Sequence, residues 1–162
     1  MIQLQSGIVN YYPQERDWTC GLACLRTLLN ATYRKKTPLS EEELVARDKE
    51  RGAVPGPRTA SDLKNLLKAF QLDEYLFTPE DFEIKDIYDC FTAHLIAVES
   101  RLHGGHWLVI MSISKGKGSD YIELYDPYYD KILSFTLSQF YALWMDDKLL
   151  SNSREFIAVR RI

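Results

Sequence analysis

The sequence predicts one α+β domain spanning residues 1–162, with an N-terminal helical part packed on a C-terminal antiparallel β-sheet. Two observations predict this class. Apolar residues recur at helical spacing through the N-terminal half, whereas the C-terminal half reads as a series of short strands. The connections between those strands are short, which favours an antiparallel sheet over the alternating strand and helix order of a parallel one.

The first helix is predicted from Gly21 to Asn30, where leucines form an apolar stripe. Its N-terminus is expected at or just before Cys20. Asp17 or Thr19 is the expected cap, because short polar side chains accept hydrogen bonds from the first N–H groups of a helix. A polar loop therefore changes into an apolar helix at Cys20.

Two further helices are indicated by their caps. Ser40 and Glu43 have the spacing of a capping box, so the second helix is expected to begin directly after Ser40. The glycines and prolines of Gly52–Arg58 predict a loop that ends it. The third helix is predicted from about Ala60 to Phe70, with Thr59 as its cap.

Strands are predicted where β-branched, aromatic and other apolar residues form short runs between turn signals. They are placed at Tyr75–Phe77, His94–Glu99, His106–Ser114, Asp120–Tyr125, Lys131–Thr136 and Glu155–Arg160. Lys115–Ser119 is expected to be a hairpin loop, and Asp126–Asp130 another turn. A fourth helix, predicted from Leu137 to Leu149, interrupts the strands, with Thr136 and Gln139 as its capping box.

The composition limits the partners and the compartment. The net charge is -3 and no apolar run could span a bilayer, so neither nucleic acid nor a membrane is an expected partner. An odd number of cysteines and an N-terminus without signal-peptide features favour free thiols in the cytoplasm. Secretion as an effector without a classical signal peptide stays open, and no oligomeric state is predicted.

Three residues far apart in the sequence are candidates for one catalytic site. Cys20 is predicted at a helix N-terminus, His106 at the start of a strand, and Asp126 at the end of the next strand. A helix dipole and an imidazolium both favour a thiolate, and a carboxylate can hold the imidazole in place. Gln14, on the loop before Cys20, is a candidate oxyanion donor together with the Cys20 backbone N–H. This pattern indicates a cysteine hydrolase or acyl-transfer enzyme that uses no cofactor or metal.

The remaining cysteines and histidines are interpreted as structural. Cys24 lies one helical turn after Cys20 in the apolar stripe, and Cys90 has an apolar neighbour, so both are expected in the core. His94 begins an apolar strand, and His103 is expected on an exposed loop.

Four residues that flank the nucleophile and the base are candidates for lining a substrate cleft. Trp18 and Trp107 have large rings beside the two reactive groups, with core packing as the alternative for both. Gly21 and Gly105 lack side chains and so permit a close approach of a substrate backbone.

The motifs resemble those of the papain-like peptidases that remove double-glycine leaders from bacteriocin precursors. The resemblance is carried by Gln14, Cys20-Gly21-x-Ala23, Gly105-His106-Trp107-Leu108-Val109 and Tyr125-Asp126-Pro127. It implies a papain-like fold, a peptide or protein substrate, a Cys20–His106–Asp126 triad that works through a thioester, and Gln14 as the oxyanion residue. The best-known members are fused to a membrane transporter and an ATPase, and residues 1–162 contain neither.

Other functions remain open at this point. A glutamine deamidase of the same fold would use the same residues and release ammonia. Asp17–Cys24 also resembles a eukaryotic family labelled as guanylyl cyclases, although the sequence shows no paired metal-binding carboxylates. An inactive binding module would keep the fold alone. A zinc site is a further alternative, with the ligands Cys20, Cys24, His103 and His106.

Overall fold

The computed structural model describes residues 2–3, 9–32, 37–70, 74–77, 94–100, 106–145 and 156–160. Within these ranges the helices are α1 (Cys20–Thr32), α2 (Glu41–Glu50), α3 (Ala60–Lys68) and α4 (Leu137–Met145). Each begins where the sequence predicts; residues 146–149, predicted to continue α4, lie outside the described ranges. No helix in the described part of the chain is long and apolar enough to cross a membrane.

Predicted side-chain caps fix the start of three helices. At α2, Ser40 Oγ accepts a hydrogen bond from the backbone N–H of Glu43 at 3.1 Å. α3 begins with a complete capping box at Thr59. At α4, Gln139 N–H donates to Thr136 Oγ1 at 3.1 Å, and Thr136 N–H donates to Gln139 Oε1 at 2.9 Å. These local bonds explain why the sequence locates the three N-termini well.

The start of α1 is built differently. Thr19 occupies the N-cap position, because its carbonyl accepts from the N–H of Ala23 at 2.8 Å. Its hydroxyl turns to the preceding loop, where it accepts from Arg16 N–H at 3.0 Å and donates to Arg16 O at 2.9 Å. Asp17, the other predicted cap, is exposed. The Thr19 side chain therefore closes the tight turn that leads into Cys20.

The strands confirm the predicted α+β class. They are β1 (Ile2–Gln3), β2 (Asn10–Tyr11), β3 (Glu74–Phe77), β4 (His94–Ser100), β5 (His106–Lys115), β6 (Asp120–Asp126), β7 (Lys131–Thr136) and β8 (Phe156–Arg160). β1 and β2 form a small separate sheet that the sequence does not predict, because so short a strand shows no periodicity. The others form a 6-stranded antiparallel sheet in the order β3-β8-β4-β5-β6-β7.

The helices α1 and α3 share one hydrophobic core with the sheet. It contains, among others, Leu22, Leu25, Leu28, Leu29, Leu63, Leu66, Leu67, Trp107, Val109 and Tyr125. Burying one leucine side chain contributes roughly 1.5–3 kcal/mol, so the predicted leucine stripe accounts for the attachment of α1. The contact is close at Gly21, where a Cβ would lie 3.2 Å from Trp107 Cδ1 and 3.3 Å from Leu63 Cδ1.

Candidate active site

The elements that carry the candidate catalytic residues meet at their ends. Cys20 is the first residue of α1, His106 the first of β5, and Asp126 the last of β6. β5 and β6 are antiparallel, with Val109 opposite Tyr125, so the start of β5 lies beside the end of β6. Because α1 packs closely on β5, the fold brings all three residues together.

His106 and Asp126 form a buried hydrogen-bonded pair. Nε2 of His106 lies 2.6 Å from Oδ1 of Asp126, and the two side chains are 6% and 0% exposed. The same oxygen accepts from the backbone N–H of Tyr128 at 2.9 Å. Burial works against the Asp126 carboxylate, but the hydrogen bond and charge of His106 outweigh burial and lower the pKa of Asp126.

The His106 ring also lies beside the side chain of Cys20, and a hydrogen bond with that side chain is one of the interactions that raise the pKa of His106. Since Nε2 is bound to Asp126, Nδ1 is the ring nitrogen left for the sulfur. Burial works to lower the pKa of His106, but the hydrogen bonds and charges of Asp126 and Cys20 outweigh it and raise the pKa to about 9. The ring is therefore protonated at neutral pH, which places an imidazolium next to the Cys20 sulfur. Cys20 is partly exposed, so a substrate can reach it.

Gln14 lies on the loop that leads into α1. Its backbone N–H donates to Pro127 O at 2.9 Å, which ties this loop to the turn after Asp126. Its side-chain Nε2 donates to Arg16 O at 2.8 Å. A glutamine amide carries two N–H donors, so one donor is used within the loop and one remains for another acceptor. Gln14 is thus held both by the loop before Cys20 and by the turn after Asp126.

The candidate cleft residues that the structure describes differ in their burial and in their neighbours. Trp107 does not line a surface: it is 1% exposed in the core, and its Nε1–H donates to Arg58 O at 3.0 Å. The open side of Gly21 faces Trp107 and other core side chains, so helix packing, and not a substrate backbone, fills the space that the missing Cβ leaves. Trp18 is partly exposed and packs against the edge of the core. Gly105 lies outside the described residues.

Of the other cysteines and histidines, Cys24 is the one whose side chain the structure describes. Cys24 is 1% exposed, and burial, followed by the charges of Cys20 and Asp126, raises its pKa well above the ordinary value. Its position in the core is the predicted one. Cys90, the side chain of His94, and His103, which is one of the four zinc ligands of the alternative interpretation, lie outside the described residues. Among the residues that are described, no group of 3 or more His, Cys, Asp and Glu side chains could hold a metal ion.

Two residues contact the site without any strong signal in the sequence. The Tyr128 ring meets the His106 ring edge-on, with centroids 6.2 Å apart, and its side chain is 51% exposed. The buried Arg58 places its guanidinium carbon 5.1 Å from the centre of the Trp18 ring. The only sequence feature that indicates a role for Tyr128 is its position directly after the Asp-Pro motif. Arg58 ends a loop distant in sequence, and no spacing indicates its contact with Trp18.

Comparison with known proteins identifies the family and the fold of this chain. The Peptidase C39 family model matches residues 8–155. The structure is similar to the peptidase domain of Streptococcus ComA, a bi-functional ABC transporter involved in a quorum sensing pathway, with a TM-score of 0.65 and 16% sequence identity over 94% of this chain and 100% of that chain. It is also similar to UfSP from C. elegans, with a TM-score of 0.59 and 12% identity over 94% of this chain and 32% of that chain. No curated protein matches the sequence.

The two kinds of comparison establish different things. At such low identities the structural likeness establishes the fold alone, which is the papain-like α+β fold. The family match spans most of the chain and establishes a cysteine peptidase, an enzyme that acts on a peptide or protein substrate. The resemblance seen in the sequence motifs is thereby confirmed, and the chain belongs to the Peptidase C39 family.

Proposed function

We propose that this chain hydrolyses a peptide or amide bond through a thioester on Cys20, with His106 as the acid and base and Asp126 as the residue that orients His106. One observation carries the proposal. The His106 ring hydrogen-bonds Asp126 through Nε2 at 2.6 Å, and the charge and hydrogen bonding of the neighbouring Cys20 side chain help to raise the pKa of His106. A sulfur, an imidazole and a carboxylate connected in this order are the groups that covalent catalysis by a thiol requires.

The first half-reaction forms the thioester. The Cys20 thiolate attacks the carbonyl carbon of the substrate, and the electron pair of the carbonyl moves to its oxygen. His106 then gives its proton to the leaving nitrogen as the C–N bond breaks, so an amine departs. A pKa of about 9 keeps that proton on His106 at neutral pH until the leaving group needs it.

The second half-reaction restores the enzyme. His106, now neutral, takes a proton from a water molecule that attacks the thioester carbonyl. The C–S bond breaks, a carboxylic acid leaves, and the Cys20 thiolate again faces the His106 imidazolium. Asp126 remains ionised throughout, keeps the ring in one orientation and stabilises its charged form.

Gln14 is proposed to stabilise the oxyanion in both half-reactions, together with the Cys20 backbone N–H. Its loop position and the remaining N–H of its side-chain amide support this role. Removing one donor of an oxyanion hole lowers kcat by about 10²–10³ in enzymes of this kind of chemistry.

Mass spectrometry of a peptide mixture tests the proposal. We expect the wild type and the Cys24→Ala variant to shorten peptides, and the Cys20→Ala and His106→Ala variants to be inactive. Ammonia release with no change in chain length would instead assign a glutamine deamidase with the same residues. If the wild type and Cys20→Ala gave the same mass spectra and released no ammonia, an inactive binding module would be the better description.

A further inference from the structure

Glu41 is a buried carboxylate that contacts the loop before Cys20. It is the first residue of α2, where an acidic side chain is ordinarily exposed and interacts only with the helix N-terminus. Its neighbours Glu42 and Glu43 are exposed in this way, but Glu41 is 0% exposed. Burying a carboxylate costs free energy unless it is paired, so the hydrogen-bond partners of Glu41 show which part of the fold its burial stabilises.

Both partners of Glu41 come from the same loop. Oε1 and Oε2 accept from the backbone N–H of Glu15 at 3.1 and 3.2 Å. Oε2 also accepts from Nη1 of Arg16 at 3.0 Å. One side chain of α2 therefore holds two consecutive residues of a loop that precedes it by 25 positions or more.

These two residues hold Gln14 on one side, and Pro127 holds its backbone N–H on the other. Gln14 is bonded covalently to Glu15, and its Nε2 donates to the carbonyl of Arg16 at 2.8 Å. Glu41 does not need to reach Gln14 itself, because it holds the backbone on which the glutamine amide rests. If Glu41 is removed, the Glu15 N–H loses its acceptor, and the loop gains freedom at the position of Gln14.

We propose that Glu41 is a positioning residue that places the Gln14 amide for the transition state. This inference rests on the proposed function, because it assigns Glu41 an effect only where an oxyanion forms. An oxyanion donor stabilises charge best when it already stands in place, so freedom in its loop lowers the rate of the chemical step and leaves the thiolate unaffected.

Two reagents distinguish an effect on oxyanion stabilisation from an effect on the reactivity of the Cys20 sulfur. p-Nitrophenyl acetate acylates a thiol through a tetrahedral oxyanion and releases p-nitrophenolate, whereas iodoacetamide alkylates the sulfur by displacing iodide, with no oxyanion. For Glu41→Ala we expect acylation to be slower by at least about tenfold and by no more than the roughly 10²–10³ that follows complete loss of a donor, and we expect alkylation of Cys20 to be unchanged. Glu42→Ala, which removes a carboxylate from the same helical turn, is the matched control and is expected to leave both rates unchanged.

Two more variants complete the test. Glu41→Gln keeps one oxygen for the Glu15 N–H, so it is expected to fold. Its rate of acylation is expected to lie between those of the wild type and Glu41→Ala. Because Glu41 acts through Gln14, the variant with both Gln14→Ala and Glu41→Ala is expected to be no slower than Gln14→Ala alone.

Several results would overturn the inference. Unchanged acylation in both Glu41 variants would do so, and so would two losses that multiply in the double variant. Equal losses in acylation and alkylation would show that Glu41 supports the fold around Cys20 in general. If wild-type Cys20 reacted no faster than Cys24 with either reagent, the proposed function itself would fail, which is a different result from any of these.

Discussion

The substitution Asp126→Asn tests the electrostatic core of the site. Asn has nearly the shape of Asp, and its Oδ1 can still accept from His106 Nε2–H and from the Tyr128 backbone N–H, which both meet Oδ1 in the wild type. What the substitution removes is the negative charge beside a buried imidazole. Any effect that depends on pH therefore reports the charge of Asp126 and not the packing around it.

The expected loss in the free energy of unfolding follows from the pKa of His106. Its rise from 6.5 to about 9 means that the folded protein binds a proton more tightly than the unfolded chain. At about 1.4 kcal/mol per pKa unit this stabilises the fold by about 3 kcal/mol. A raised histidine pKa contributes fully below pH 6.5, and the contribution is lost as the pH rises through about 9. Asp126 itself has a lowered pKa, so its own titration affects stability only in the acid range.

Urea unfolding followed by circular dichroism measures this contribution. At pH 6 we expect Asp126→Asn to be less stable than the wild type by up to about 3 kcal/mol, because the hydrogen bond of Asp126 is the largest of the interactions that raise the pKa of His106. At pH 10 we expect the difference to shrink markedly, because wild-type His106 is then neutral. An NMR titration of the His106 ring should place its midpoint near 9 in the wild type and well below 9 in the variant. A stability difference that is the same at both pH values would refute the reasoning.

Three further predictions follow from the same contacts. Iodoacetamide is expected to label Cys20 in the folded protein and not Cys24, which is 1% exposed. His106→Ala is expected to slow the labelling of Cys20 at pH 7 several-fold, because it removes the imidazolium beside the sulfur. Peptide hydrolysis is expected to fall above a pH of about 9, where His106 loses the proton for the leaving amine, whereas alkylation of Cys20 is expected not to fall. Gly21→Ala is expected to destabilise the fold by about 1 kcal/mol in urea unfolding, because crowding of the new Cβ 3.2 Å from Trp107 Cδ1 in the buried core costs about 1–3 kcal/mol and the helix propensity of alanine offsets about 1 kcal/mol of it. If alkylation of Cys20 fell together with hydrolysis above a pH of about 9, the second prediction would be wrong. A Gly21→Ala variant as stable as the wild type would contradict the third.

The features that the sequence predicts well depend on short-range bonds. Ser40 and Thr59 cap helices through hydrogen bonds to residues only three positions away, so the pattern contains all the information needed. The ends of β5 and β6 follow from local periodicity in the same way. Placing Cys20, His106 and Asp126 at the ends of elements was therefore possible from the sequence, and the antiparallel pairing of β5 with β6 then required only a short hairpin.

The features that the sequence leaves open depend on which surfaces meet. A tryptophan next to a candidate base suits a cleft and a core equally well, and it is tertiary packing, including that of α1 on β5, that buries Trp107. Glu41, Glu42 and Glu43 have the same chemistry and lie in the same helical turn. Nothing local distinguishes Glu41, which is buried because the fold lays the loop of Glu15 and Arg16 across it.

The turn after β6 connects the two halves of the proposed mechanism. Asp126 holds the His106 ring by its side chain, and the next residue, Pro127, accepts the backbone N–H of Gln14 at 2.9 Å. The proposed general base and the proposed oxyanion donor are thus both fixed by two consecutive residues. Because Pro127 is buried, its carbonyl needs a partner within the protein, and Gln14 supplies it. A shift of this turn would move the imidazole and the amide together, so the relative position of the two groups is maintained by one short segment of chain.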